Sequence, residues 1–304
     1  MQRERAHNLW ASFGRKFETI AQATLLEPRP SAELSGIGGL ASAKDEIQTY
    51  AFAATSPEVY ERWGTYPPSG LMLIGRHGMG KRLLARLLST LTDTAFVCVR
   101  VPRLVIELVH RSAKPGELVS AWSQTLDEMP PVTVFFEELE FTQTAELGSR
   151  RSDLPVGPVM DFLLDVLDRT IAVEQTLVVG STSSPDTLRH AFVQPGRLER
   201  IVEVTPTFPD DVIDALRIHG AAAEKRAGHD LFREIDWTQA VGSYQEPSIG
   251  DWVHILHSVL RRKARSEAAS EAPSPISTQD VLAEVSRFRQ AKNRLALPSG
   301  GNYV

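Results

Sequence analysis

Cysteine is nearly absent from this chain: Cys98 stands alone among 304 residues. A disulfide framework is thereby excluded, as is any zinc or iron–sulfur site built from several cysteines. Long apolar runs are missing as well. None approaches the ~18 residues needed to cross a bilayer. The opening MQRERAHNLWASFGRK carries charges where a signal peptide needs its apolar stretch, so a cytoplasmic protein without a membrane span is expected. Positive charge is not in excess either. Lys and Arg total 33 against 38 for Asp and Glu, a net charge of −5, and no extended basic stripe is present, which disfavours nucleic acid as a partner. What the chain does have is apolar content, 42 % by count, enough to build a core and exclude wholesale disorder. At roughly 150 residues per domain the length suggests two domains, or one large domain with a smaller appendage.

Residues 7–27 place Trp10, Phe13, Phe17, Ile20 and Thr24 at helical spacing, which predicts one amphipathic helix ended by Pro28 and Pro30. Residues 1–32 are read as this helix and a linker. The stretch is too short for an independent recognition domain; its apolar face is expected to pack on the chain's own body, with docking to a partner as the alternative. From 70 to 205, short apolar runs alternate with helical patterns. The expected strands are Leu71–Gly75, Phe96–Val101, Val132–Phe136, Leu177–Gly180 and Ile201–Val204, and the expected helices Lys81–Leu91, Leu118–Glu128 and Val159–Leu167. Such alternation indicates a parallel α/β sheet. Residues 142–158, polar and containing Gly and Pro, read as an exposed loop.

After Pro209 the strand signals stop. Asp210–Gly220, Trp237–Val241, Ile249–Ala264 and Thr278–Ala291 read as helices, with a polar connector at 264–275 and Ser277 or Thr278 able to cap the last helix. The tail, 293–304, is expected to be flexible. No internal repeat is visible.

The strongest chemical signal is Gly75-Arg76-His77-Gly78-Met79-Gly80-Lys81-Arg82. It follows an expected strand and opens a leucine-rich helix, the context of a phosphate-binding loop. Glycines let the backbone N–H groups of such a loop curl around phosphates, the helix N-terminus adds positive potential, and Lys81 reaches the terminal phosphates. Gly75, His77, Gly78, Met79, Gly80, Lys81 and Arg82 are the candidate contacts. Where the motif uses Ser or Thr to ligate magnesium, this chain has Arg82, which offers no acceptor and carries a fixed positive charge. Downstream, Val132-Thr133-Val134-Phe135-Phe136-Glu137-Glu138 is an apolar strand ending in two carboxylates. The first acid of such a pair holds magnesium, and the second orients or deprotonates the attacking water. Glu137 stands where Asp is usual, so its extra methylene shifts the metal-side carboxylate. Glu138 is the expected residue for the second role.

With these residues in view the chain resembles the AAA family of ATPases, the narrower branch of the AAA+ group that includes katanin-like severing enzymes, membrane-bound bacterial AAA proteases and fusion-complex disassembly motors. The resemblance covers about residues 33–291. It implies a phosphate-loop α/β domain over 33–207, its parallel sheet sandwiched by helices, and a small all-α lid over 208–292, with ATP or ADP as the ligand. ELSGIGGLASAKDEI is similar to the segment whose Ile-Gly backbone meets adenine, nominating Ile37 and Gly38. Gln194-Pro195-Gly196-Arg197-Leu198-Glu199-Arg200 resembles the paired arginine fingers. Arg197 and Arg200 would neutralise charge on a transferred phosphoryl group across a subunit boundary. His219 in ALRIHG and Gly250 in Ser248-Ile249-Gly250-Asp251 match positions near the ribose and adenine. The resemblance further implies a homo- or hetero-oligomeric ring, a hexamer by the family's pattern, acting on a protein partner.

The departures from the family have a direction. The polar sensor, commonly Asn, aligns with Ser183, and the pore-loop aromatic aligns near Leu108 within Phe96–His110. The magnesium hydroxyl, metal acid and sensor have all drifted, whereas both arginines that act on a neighbour are intact. Two readings stay open: a ring subunit that is a weak or conditional ATPase, its hydrolysis impaired by Arg82 and Glu137, or an inactive structural or regulatory subunit that supplies fingers to an active neighbour. Other signals are weaker. His254 and His257 lack a third metal ligand, Arg261-Arg262-Lys263 with Arg265 suits a solvated helix end, and Cys98 suits the core.

Overall fold

A computed structural model describes residues 2–111, 114–140, 156–269, 272 and 274–296. The chain forms two compact units, residues 1–34 with 41–205, and residues 35–40 with 206–304. The first unit contains α1 (Gln2–Lys16), α2 (Glu18–Ala23), β1 (Thr24–Glu27), α3 (Ala41–Thr55), α4 (Pro57–Arg62), β2 (Leu71–Ile74), α5 (Lys81–Leu91), β3 (Ala95–Arg100), α6 (Val101–Arg111), α7 (Pro115–Glu128), β4 (Val132–Glu137), α8 (Val156–Ile171), β5 (Thr176–Thr182) and β6 (Arg200–Glu203). Its six strands are ordered β1-β3-β4-β5-β2-β6. All neighbours pair in parallel except β1 with β3. Central strands such as AFVCVR and VTVFFE are buried along nearly their whole length, because a parallel sheet covered on both faces leaves no strand face for polar side chains.

The N-terminal aromatics pack within this unit. Trp10 and Phe13 lie 5.5 Å and 6.2 Å from the ring of Trp122 on α7, all three in the main core cluster. Burying an aromatic side chain this way typically contributes about 3 kcal/mol or more. The single helix expected over 7–27 is instead two helices and a strand. The chain breaks at Phe17 (φ −125°, ψ 70°), and Thr24–Glu27 pairs antiparallel with the free edge of β3, Thr24 opposite Val99 and Glu27 opposite Phe96. Ile20 and Thr24 do meet at helical spacing, through a hydrogen bond from Thr24 Oγ1 to the Ile20 carbonyl, but beyond that point the ladder supplies partners that another helical turn would have to forgo.

Val101 begins α6 rather than ending a strand, with Pro102 in the first helical turn where its missing N–H costs nothing. Leu108, aligned with a pore loop by sequence, sits on this helix half-buried against the core. Of the loop expected at 142–158, residues 142–155 lie outside the described residues, and 156–158 already belong to α8.

The second unit holds α9 (Asp210–Ala227), α10 (Trp237–Gly242), α11 (Ile249–Ala268) and α12 (Thr278–Ala296) around Trp252, Leu256, Leu216 and Val241. Helix α9 runs past Gly220 to stop at Gly228 in the left-handed region. Helix α11 absorbs residues 264–268 of the expected connector, and α12 continues to Ala296, while 297–304 lie outside the described residues. Ser277 caps α12: Asp280 N–H donates to Ser277 Oγ at 3.4 Å and Ser277 N–H to Asp280 Oδ2 at 2.9 Å. Thr278 Oγ1 instead accepts the Asp236 N–H. Among the described residues no helix is long and apolar enough to cross a membrane.

Candidate functional site

The carboxyl ends of β2, β4 and β5 come together in the first unit, with Ile74 opposite Thr182 and Phe136 opposite Gly180. Loops leaving such ends at a change of strand order form the usual ligand crevice of open α/β sheets. The residue before α5, Gly80, has φ +93°, a conformation that favours glycine and lets the loop turn directly into the helix. Lys81 follows at the first helical position. Its ammonium donates to the Gly75 carbonyl, to the Arg76 carbonyl at 3.0 Å and to Ser183 Oγ at 2.9 Å, engaging all three of its donors. Burial pulls the Lys81 pKa down, while Glu140, Glu138 and Glu137 oppose that shift.

Ser183 stands just beyond β5. Its hydroxyl lies 3.1 Å from His77 Nδ1, and its N–H donates to Glu140 Oε1 at 2.8 Å. Glu138 follows β4 with φ +62°, an uncommon conformation for a side chain of this kind, and its N–H donates to Ser181 Oγ at 3.3 Å. The Glu138 carboxylate is 3.3 Å from His77 Nδ1. Desolvation raises its pKa; Glu137 and Glu140 push the same way, and His77 and Lys81 resist. Glu137 ends β4 with Oε2 4.0 Å from Arg82 Nη1, and accepts a long contact from the Cys98 thiol at 3.8 Å. Burial, then the Glu137 charge, pushes that thiol up to about 12, so Cys98 is a protonated core residue.

Gly78, Met79, Lys81, Arg82, Glu137 and Glu138 line a cleft of about 400 Å³ that also reaches Ser183 and His77. Glu140 joins the cluster through the Ser183 N–H and is 4 % exposed, with Oε2 lacking a hydrogen-bond partner among the described residues. The sequence pattern marks only the Glu137-Glu138 pair. The signal for Glu140 was present as a third acid two residues on, separated by the buried Leu139.

Magnesium takes hard oxygen donors in a nearly octahedral shell. Here the position for a ligating hydroxyl is a guanidinium, and it stands against the carboxylate that would share the ion. The residues present do not fit magnesium.

Arg197 and Arg200 do not line this cleft. The Arg197 guanidinium forks onto Asp168, Nε to Oδ1 at 2.6 Å and Nη2 to Oδ2 at 2.7 Å, with Nη1 on the Ala191 carbonyl at 2.6 Å. Arg200 forks onto Glu46, its Nε to Oε2 at 2.9 Å and its Nη2 to Oε1. Glu199 holds the intervening turn by accepting the N–H groups of Gly196 and Ser69.

The remaining candidates lie in the second unit. Ile37 is buried, and Gly38 presses on α9 so closely that a Cβ there would sit 2.3 Å from the Ala215 nitrogen. Asp211 anchors the same segment by accepting the Leu40 N–H at 2.9 Å. His219 is one helical turn beyond Ala215, half-buried, with its ring 6.2 Å from that of His257; burial, then His257 and Arg226, lower its pKa. Gly250 is in the first turn of α11, which a reciprocal Ser248–Asp251 capping box closes. Among the described residues no three His, Cys, Asp or Glu side chains are grouped to hold a metal, so His254 and His257 stand without a third ligand.

A strand, a glycine loop and a helix beginning with a buried lysine, with carboxylates on the adjacent strand end, define a phosphate-loop nucleotide-binding fold. Residues 71–206 match the family model described as ATPase family associated with various cellular activities (AAA). This segment of the chain is an AAA-family domain. The chain is 30% identical over 206 residues to the proteasome-activating nucleotidase of Methanocaldococcus jannaschii, the match covering 66% of this chain and 46% of that protein. Protein CdcH of Halobacterium salinarum is 28% identical over 203 residues, 66% of this chain and 27% of the other. The cell division cycle protein 48 homolog of Archaeoglobus fulgidus is 28% identical over 206 residues, 67% and 28%. The chain thus spans between about a quarter and a half of the length of these relatives.

Proposed function

We propose that this chain is an ATP-binding subunit of an AAA-type ring in the cytoplasm, a weak or conditional ATPase that couples nucleotide to the remodelling or assembly of a protein partner. The observation that carries the reading is the position of Lys81, held at the mouth of α5 between the loop carbonyls and Ser183, with Glu138 in the same cleft. A triphosphate would take over the Lys81 donors and meet the loop N–H groups at the positive end of α5. Glu138 is the group to accept a proton from the attacking water, its carboxyl held above its ordinary value by desolvation. Ser183, bonded to Lys81, takes the sensor role. Arg197 and Arg200 act on a neighbouring subunit's nucleotide once they leave Asp168 and Glu46. Ile37, Gly38, His219 and Gly250 are the adenine-side and ribose-side contacts by family resemblance. Relatives named as a proteasome-activating nucleotidase and a cell division cycle protein 48 homolog support a protein partner.

A second reading has its own observation. The Arg82–Glu137 contact at the metal corner favours a subunit that binds nucleotide without hydrolysing it and lends its arginines to an active neighbour. Turnover of ATP by the purified chain, beside Glu138→Gln, separates the two. Slow turnover abolished by the substitution supports the weak ATPase, and none in either form supports the second reading. Robust magnesium-dependent hydrolysis lost in Glu138→Gln would remove the case for an altered site altogether.

A further inference from the structure

We propose that the polyphosphate site is built to work without a divalent cation, with the Arg82 guanidinium in the place of magnesium, so that ATP or ADP binds as the free anion and added magnesium weakens binding. The inference rests on the nucleotide-binding reading above and concerns the form in which the nucleotide is held.

Three features of the cleft support it. First, Arg82 follows Lys81 directly on α5 and lines the same cleft, so the two cations reach one ligand from adjacent positions. A guanidinium presents a planar fork of N–H donors that matches two phosphate oxygens, and it keeps its charge at any pH the protein meets. Second, Glu137 already has its countercharge. Its Oε2 lies 4.0 Å from Arg82 Nη1 and accepts the long contact from the protonated Cys98 thiol. A dication at this carboxylate would need to displace the guanidinium or sit against it. Third, Arg82 is loosely held. A separation of 4.0 Å is an ion pair without a hydrogen bond, and 39 % of the side chain stays accessible. Arg86, one turn along the same helix face, is by contrast tied to Glu27 at 2.8 Å. Of the two arginines on this face, Arg82 is the one disposed to turn toward a ligand, and Glu137 is placed to steer it.

Calorimetric titration of the full chain with ATP and with ADP, once in EDTA and once in excess magnesium, tests the proposal. The expected result is binding in EDTA at least as tight as in magnesium. Arg82→Thr should lose about tenfold or more in EDTA and regain affinity when magnesium is added, while Arg82→Lys keeps part of the metal-free binding. Binding that is tenfold tighter in magnesium overturns the inference and leaves the nucleotide-binding reading standing. An unchanged affinity of Arg82→Thr in EDTA also overturns it, because Arg82 is then no phosphate ligand. No binding in either medium overturns both. The two wild-type titrations already discriminate these outcomes, so the result does not depend on any variant folding.

Discussion

The charged groups of the cleft and those of the Gln194–Arg200 segment are held in opposite ways. In the cleft, Lys81 and Glu140 are buried, Glu138 is partly exposed, and the three lean on one another. Burial lowers the lysine and raises Glu138, and each carboxylate alters the titration of its neighbours. On the other segment each arginine has its own carboxylate. Arg197 is matched with Asp168 and Arg200 with Glu46, with side chains 22 % and 53 % exposed. Exposed ion pairs typically contribute ~0–1 kcal/mol, because water and salt compete for both partners. The contrast teaches where this fold keeps its charges rigid and where it can exchange them. A group that must meet an anionic ligand in a fixed geometry belongs to an interlocked, half-buried set. A group that is to leave one partner for another is better held by a pair that costs little to break.

The largest effect that can break this contrast is on binding. Lys81→Ala is expected to weaken ATP binding about a hundredfold in a direct titration, the loss of roughly two charge-assisted hydrogen bonds, whereas Arg197→Ala should leave affinity within about twofold. Equal losses would mean that the two regions are not distinct. Next comes stability. Glu140→Leu strands the Ser183 N–H and removes a buried countercharge of Lys81, so urea unfolding should show a loss of about 2 kcal/mol, with Glu140→Gln losing less because an acceptor remains. By the same measurement, Arg200→Ala, at a side chain 53 % exposed, should cost less than about 1 kcal/mol.

The smallest effect sharpens the contrast by its sign. Glu138 has a folded-state pKa raised above its ordinary value, chiefly by desolvation, so its ionised form lowers stability at neutral pH. That penalty is fully present above the raised pKa and disappears as pH falls toward 4.5, the unperturbed value. Glu138→Gln should therefore melt slightly higher than the parent at pH 7, and the two should converge on acidification. A parent that melts higher than Glu138→Gln at neutral pH would show that the carboxylate is stabilised rather than strained where it stands.

Much of the first unit was readable from local pattern. Helix α5 starts and ends where its glycine cap and leucine spacing place it, and the apolar runs at Val132 and Leu71 are strands because a doubly covered sheet needs uninterrupted hydrophobic residues. Lys81, Glu137, Glu138 and Ser183 were nominated one by one and share one corner of the fold. Other features were not readable locally. Strand β1 exists because β3, about seventy residues away, offers an open edge, and a helical period in residues 7–27 carries no trace of that. Glu140 carries no local sign of its burial, which it shares with Leu139 just beyond β4. Gly38 gave no local sign that it packs against α9, some 177 positions later.

What the chain carried in its sequence was the list of chemical groups and the short-range geometry that glycines, prolines and periodic apolar residues impose, since these depend only on neighbours within a turn or two. Which charge faces which was decided by tertiary structure alone. Asp168 with Arg197, Glu46 with Arg200, Glu137 with Arg82, and Glu140 with the Ser183 N–H are pairs brought together by strand order and helix packing. Burial then fixes how strongly each pair is felt, because an ionic interaction depends on distance and on the water that folding removes.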